Sequence, residues 1–419
     1  MNTLENYAPG LRPKRAAAGF RPRLACPRAS LRSLTIATLA VALAAPVALR
    51  AGTCTINVGS NLQTIDGFGF AAVFAPVMTG AQADTFFGTG SGQLGFSLLR
   101  VYISETGSFA TDASNAALAH ARGAKVLGTA WTPPPSMKSN NNAVGGSLLT
   151  SQYGAYASYL ANAATQIGLD WVSFQNEPDI TVTYQSCSWT PAQMQTWCQN
   201  NAPTVGKPIA MPESFHFADT YSDPTLNNST SASHITFVAG HIYGGGNIVH
   251  QNALNHGKHV WMTEHFNNGQ DIATAITDAK EVSDCMNNQM SAYIWWRAYH
   301  PTVAADDLIS GSTPLKNGYA IGQFAHWVRP GKTRCAATYN PTSGIFVTAY
   351  HNNGLVIVAI NTSGSSVNQT FTIQNATVSS MTPFRTSSTQ NMAQLSSVNT
   401  SSGTFTVSLP AQSVTTFVQ

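Results

Sequence analysis

WVSFQNEPD, residues 171–179, is the segment on which the fold turns. It is a short apolar run, rich in aromatic and β-branched residues, that ends abruptly in an amide, a carboxylate and a proline. A run of this kind suits a strand buried on both faces. Seven further segments share the pattern: 66–74 (DGFGFAAVF), 96–103 (FSLLRVYI), 125–131 (KVLGTAW), 208–213 (PIAMPE), 237–243 (FVAGHIY), 259–265 (HVWMTEH) and 291–297 (SAYIWWR), with 171–177 as the fourth in chain order. Ala-rich helical patterns lie between them, as in 113–122, 152–167, 190–200 and 272–289. Near-continuous apolar strands alternating with helices indicate a parallel sheet covered on both faces. Eight such units predict a (β/α)8 TIM barrel over residues 66–335.

The character changes after Cys335. Residues 336–419 carry a single charged side chain, Arg385, and alternate Thr, Ser and Val with apolar residues, as in GLVIVAIN and GTFTVSLP. That period of two, punctuated by turns, predicts a side-associated β-sandwich domain. Residues 51–65 hold one more strand pattern and are expected to join it.

The chain has 419 residues, 43% apolar and 9% charged, against about 25% charged in an average protein. Its polarity comes from Ser, Thr, Asn and Gln. Eight of the 21 basic residues (Arg12, Lys14, Arg15, Arg21, Arg23, Arg28, Arg32 and Arg50) fall in the first 50 positions. From residue 51 onward 13 basic face 17 acidic residues, a net −4. No basic face is left for nucleic acid, which such binding requires. Within the basic leader, Leu34–Ala48 is a continuous apolar run of signal-peptide length, too short for a membrane span. Residues 1–50 are therefore expected to be an export signal. The mature protein is expected to be secreted, extracellular or periplasmic, monomeric, and free of any membrane once the signal is removed.

Export permits disulfides. Of six Cys, Cys26 lies in the leader. Cys187 and Cys198 flank a short segment and are the expected disulfide pair. Cys54 and Cys335 are a second candidate pair, and Cys285 is expected to be a buried free thiol.

Barrel chemistry sits at the carboxyl ends of the strands. There, charged residues are scarce and therefore informative. Glu177 ends the fourth strand, Glu213 the fifth and Glu264 the seventh. Buried carboxylates are costly unless paired or used. The fourth and seventh strands face each other across the mouth, so Glu177 and Glu264 can flank a glycosidic bond, one protonated and one ionised. Glu213 fits a structural ion pair better than a direct role. Aromatic residues ring the same mouth: Trp131, Tyr243, Trp295, Trp296 and Tyr299. An uncharged, aromatic, amide-rich mouth suits a neutral polysaccharide. One of Trp295 and Trp296 is expected in the core, because neighbours on a strand point to opposite faces. His241 and His265 lie at strand ends, but there is no HExxH spacing and no local Asp or Cys cluster, so neither a metal nor any other cofactor is expected. Without a GxSxG elbow or a phosphate loop, serine-hydrolase and nucleotide chemistry find no motif.

At these residues the chain resembles glycoside hydrolase family 30, in particular its bacterial glucuronoxylanase branch. The matching stretches are IDGFG (65–69), AWTPPPSMKSN (130–140), FQNEPD (174–179), MPESF (211–215), GHIYG (240–244), WMTEHF (261–266), YIWW (293–296) and GYAIGQFAHWVRPG (318–331), in the family's order. The resemblance implies a retaining mechanism acting on β-1,4-xylan, with Glu177 as acid/base and Glu264 as nucleophile. It also implies that Asn176 binds the 2-hydroxyl of the reacting sugar, that Tyr243 contacts the nucleophile, and that Trp131 and Trp296 line the cleft. The branch holds a glucuronic acid substituent through an Arg and a Tyr after the Trp pair and a Ser after the nucleophile. Here Arg297 and Tyr299 are the candidates in a segment about two residues short, and Gly269 stands where the Ser is expected. An endo-xylanase without strict glucuronate dependence is thus one expectation. Other family 30 specificities, a β-1,6-glucanase or a β-glycosidase, are alternatives, as is a non-catalytic carbohydrate-binding protein.

Overall fold

The computed structural model describes residues 52–419. The export-signal expectation for residues 1–50, Cys26 included, lies outside the described residues. Among the latter, no helix is long and apolar enough to cross a membrane.

The first strand, β1 (Thr53–Thr64), belongs to the side sheet. Eight strands then close a parallel barrel: β2 (Gly67–Ala71), β3 (Leu98–Ile103), β4 (Lys125–Ala130), β5 (Trp171–Ser173), β6 (Ile209–Ser214), β7 (Phe237–His241), β8 (His259–Glu264) and β9 (Ala292–Trp295). Closure sets Gly67 against Ala292 and Phe70 against Trp295. At Gly67 the backbone is left-handed (φ 143°), and an added Cβ would meet Ser97 Oγ at 2.3 Å, so only glycine fits the seam.

Helices cover the barrel because their apolar stripes match it. The helix Tyr153–Ile167 buries Tyr156, Ala157, Leu160, Ala163, Ala164 and Ile167, spaced by three and four. It ends on Gly168 at φ 82°, a left-handed cap. The last helix pattern, expected over 272–289, runs from Ile272 to Asn287 behind an Asp271 cap.

The barrel interior is layered. Leu98, Leu127, Phe237, Trp261 and Ala292 plug its amino end, with Trp171 packed against them. Phe237 and Trp261 stack at 3.8 Å. Side chains two residues on point the same way. The next layer toward the carboxyl end is therefore Arg100, Thr129, Ser173 and Thr263, all buried. Polar groups rest on an apolar floor, and the mouth opens above them.

The side domain is a single ten-stranded sheet. β1 is its hinge: it pairs antiparallel with Thr333–Ala337 and parallel with Val367–Gln374. Two register shifts in β1, between Asn57 and Thr64, bend the sheet. It curls around a core that includes Ile345, Ile357, Phe371, Phe405 and Phe417. The two expected layers are thus one curled sheet. It joins the barrel through the helices Ile272–Asn287 and Lys316–Ala325; for instance, Thr416 Oγ1 donates to the Gln323 carbonyl at 2.9 Å.

The expected disulfides are corrected: all five described cysteines are free and buried. Cys187 precedes the helix Pro191–Asn200 and Cys198 lies near its far end. Both thiols are buried, and burial raises the pKa of each, so neither is the thiolate that oxidation requires. Ile56 pairs with Ala337, which sets Cys54 opposite residue 339. Cys335 is then four positions away, about 13 Å along a strand.

Candidate active site

Strand ends assemble the site. β5 stops at Ser173 because the chain turns inward there: Asn176 N donates to the Ala130 carbonyl at 2.8 Å, and Glu177 N to the Glu213 carbonyl at 2.9 Å. Glu177 and Glu213 both hold left-handed backbone, φ 45° and 51°. Such strain persists where surroundings enforce it, and it clusters at functional sites.

Arg100, from the middle of β3, organises the floor. Its Nη1 donates to Glu264 Oε2 at 2.6 Å, and its Nη2 to Asn176 Oδ1 at 2.7 Å. Its Nε lies 3.2 Å from Glu213 Oε1 and donates to Thr129 Oγ1. The guanidinium carbon sits 4.7 Å from the centre of the Trp131 ring. His241 is the second cation candidate: its Nδ1 is 3.1 Å from Glu177 Oε1, and its Nε2 is 3.8 Å from Glu264 Oε2. Tyr184 donates to Glu177 Oε2 at 2.6 Å, and Tyr243 to Glu264 Oε1 at 3.1 Å. A Glu177 oxygen, a His241 nitrogen and a Glu264 oxygen all lie within 4.8 Å of one another.

Burial and charge compete throughout. Burial works against the Arg100 charge, but Glu213 and Glu264 outweigh it and raise its pKa. Burial likewise opposes a charged His241, and Glu264 and Glu177 reverse the balance, so its pKa rises. For Glu213 burial favours the neutral acid, yet Arg100 and His241 overcome it and hold the carboxyl below the usual range. Burial pushes Glu264 up, with His241 and Arg100 pulling against it and Glu177 reinforcing the rise. The Tyr243 phenol is driven far up, first by burial and then by Glu264, and stays a neutral donor.

Glu177, His241 and Glu264 have the donor types of a cation site. Arg100, however, already occupies the ionic face of Glu264, and His241 Nδ1 is engaged by Glu177. An added dication would stand beside two positive groups.

The site brings Glu177, Glu264, Asn176, Tyr243 and Trp131 together, with Trp296 5.8 Å from Trp131 between ring centres. Trp295 is fully buried, with its Nε1 bound to the Asp306 carbonyl. Tyr299 is turned away from them, whereas Arg297 directly follows Trp296 and has a buried Nε with no hydrogen-bond partner among the described residues. Tyr299 is 2% exposed, meets Phe70 and Phe86 ring to ring, and donates to the Pro76 carbonyl at 2.7 Å. Arg297 is half-buried; burial lowers its pKa, opposed by Asp306 and Asp307. Gly269 has φ 136°, and a Cβ there would lie 2.5 Å from Thr274 Oγ1. Sequence reading missed Arg100 and Tyr184. The signal for Arg100 was available: it is the lone charge in LLRVYI, a strand buried at every position.

A closed parallel barrel with two carboxylates meeting at its mouth has the arrangement of a glycoside hydrolase. The chain belongs to glycoside hydrolase family 30. It is 35% identical over 397 residues to a glucuronoxylanase, XynC, of Bacillus subtilis strain 168, covering 88% of this chain and 92% of that one. The structure of the family 30 subfamily 8 xylanase Xyn30A from Clostridium acetobutylicum superposes with a TM-score of 0.83 at 38% identity, over 87% of this chain and 99% of that one. A family 30 endoxylanase from Clostridium papyrosolvens gives 0.80 at 34%, with the same coverage of each chain. No protein-family model matches the chain.

Proposed function

We propose that this enzyme is an endo-β-1,4-xylanase that works by double displacement and reads the unbranched xylan backbone. The observation that carries the mechanism is the closeness of the Glu177 and Glu264 oxygens, within 4.8 Å. Retaining enzymes hold their carboxyls about 5–5.5 Å apart, whereas inverting ones leave about 6.5–9.5 Å for a water. Glu264, with Arg100 and Tyr243 donating to its two oxygens, is the nucleophile. Glu177, whose partners are a phenol and an imidazole, is the acid/base. Three carboxylates face two cations, so the site can hold one proton, and double displacement requires that proton on the acid/base. In the first step Glu177 gives that proton to the glycosidic oxygen as Glu264 bonds to the anomeric carbon and the leaving sugar departs. In the second, Glu177 takes a proton from water, the water oxygen bonds to the anomeric carbon, and Glu264 is released. Asn176, its Oδ1 held by Arg100, keeps Nδ2 for the 2-hydroxyl.

The xylan assignment is supported by the relatives named as xylanases. Backbone reading is supported by the buried placement of Tyr299 and by Gly269, where a serine side chain would collide with Thr274. Glu264→Ala and Glu177→Gln are each expected to lower turnover by more than about a thousandfold in a folded protein. Retention of a tenth of wild-type activity sinks the assignment. Xylan with and without methylglucuronate should be cut at comparable rates; cleavage of the decorated polymer alone would refute backbone reading.

We also propose that residues 1–50 direct export, supported by the basic stretch followed by Leu34–Ala48. Amino-terminal sequencing of the protein recovered outside the cell tests this: a chain still starting at Met1 refutes it. The expected boundary at residue 335 moves to Thr333, because the strand Thr333–Ala337 belongs to the side sheet.

A further inference from the structure

Between β2 and the next helix, the chain makes a turn closed by Ala75 N donating to the Ala72 carbonyl at 3.2 Å. Its third residue is Phe74, at φ 56°. Turns that need left-handed backbone there favour Gly or Asn, and a bulky residue is strained. The side chain is also 42% exposed, so burial does not explain it. A large aromatic ring in a strained position, open to solvent, points to use.

The ring stands at the mouth. Its centre is 4.8 Å from that of Tyr102 and 5.6 Å from that of Trp131, edge-on to the latter. Trp131 in turn packs on Arg100, which holds Glu264. Phe74 is thus linked to the nucleophile by three successive contacts and lies outside the reacting position. Val77 (45% exposed) follows on the same loop, and Val303 (46%) lies on the loop after β9. The Tyr299–Pro76 hydrogen bond ties the two loops together, and Ala298 N donates to the Ala71 carbonyl at 3.4 Å. The carboxylate behind this lip is Glu105, which accepts from the Tyr102 hydroxyl. The lip formed by Phe74, Val77 and Val303 is apolar, and it suits a sugar ring that carries no charged substituent.

We propose that Phe74 is a specificity-determining residue: its exposed face is the stacking platform for an undecorated xylose unit next to the reacting sugar, on the nucleophile's side. Xylose has no exocyclic hydroxymethyl group, so its ring faces present carbon and hydrogen to an aromatic plane. This inference rests on the backbone-reading assignment and names the residue that performs it.

The test is kcat/KM on linear xylo-oligosaccharides of increasing length for wild type, Phe74→Ala, Phe74→Trp and Phe74→Tyr. In wild type, kcat/KM should climb with chain length. Phe74→Ala should flatten that climb, with about a tenfold loss on the longest chain carried by KM, the upper range for an aromatic contact. The Trp and Tyr variants should restore it. A loss equal at every length, or carried by kcat, means that Phe74 only braces Trp131 and overturns the proposal. So does an unchanged length dependence in the alanine variant. If wild type fails on every linear oligomer and cuts only glucuronate-bearing xylan, the backbone-reading assignment itself has failed, and the role of Phe74 falls with it.

Discussion

Arg100→Gln removes a positive charge from a buried site that holds Glu177, Glu213 and Glu264. The Nη1 bond to Glu264 is 2.6 Å long and charge-assisted. Such bonds contribute about 1.5–3 kcal/mol, which corresponds to about one to two pH units in the acid constant of the nucleophile. The direction follows from the chemistry: the guanidinium favours the Glu264 carboxylate, so its loss favours the acid. Because the nucleophile must be ionised, the acidic limb of the kcat/KM profile should move upward by about one to two units. Glu213 also loses its 3.2 Å partner. Breaking a buried pair costs about 3–5 kcal/mol, so the variant must be checked for folding by circular dichroism at the assay temperature. Arg100→Lys keeps a charge but loses the planar fork that engages Glu264, Asn176 and Glu213 together. It should shift the limb in the same direction by a smaller amount. If both variants fold, lose activity and keep the wild-type limb, Arg100 does not set the ionisation of Glu264, and the account of the site is wrong.

Three other outcomes are expected. Asp278 is buried in the helix behind Glu264 and its pKa is pushed up to about 8, chiefly by burial. A carboxyl raised in the folded state stabilises the protonated fold, and that contribution drains away as pH rises from about 4 to about 8, at about 1.4 kcal/mol per unit. Asp278→Asn should therefore raise the melting temperature at pH 8 and have little effect at pH 4; an equal effect at both values would refute the burial argument. Thiol titration of the protein lacking its leader should find five free cysteines after denaturation and almost none before; three or fewer after denaturation would restore a disulfide. Tyr184→Phe deletes the 2.6 Å donor to Glu177 and should lower kcat about tenfold, whereas an unchanged kcat would remove Tyr184 from the site.

The barrel was legible because its strands are buried on both faces, so each reads as an unbroken apolar run. Glu177 and Glu264 were legible because charge is rare in this chain. What stayed hidden depends on direction. Arg100 looked like one residue of a hydrophobic strand, and only closure of the barrel turns its side chain inward above Leu98. Spacing alone paired Cys187 with Cys198, but it could not show that each thiol is buried and free. The interval between the Trp pair and Tyr299 says nothing about which way the loop folds, and so could not show the phenol buried against Phe70. Phe74 was visible as an apolar residue, but its left-handed backbone was not.

The placement of β1 bears on how the chain is made. Cys54 touches the carbonyl of Thr338, 284 residues later, and its parallel partners from Thr370 onward are later still. The first described strand thus waits for strands near the end of the chain before it has a neighbour. Closing so long a loop is slow, and until it closes β1 is an open edge, prone to pairing with the wrong strand. Deleting Thr53–Thr64 or Val367–Gln374 should therefore yield aggregate rather than an isolated barrel, because the two strands close one clasp.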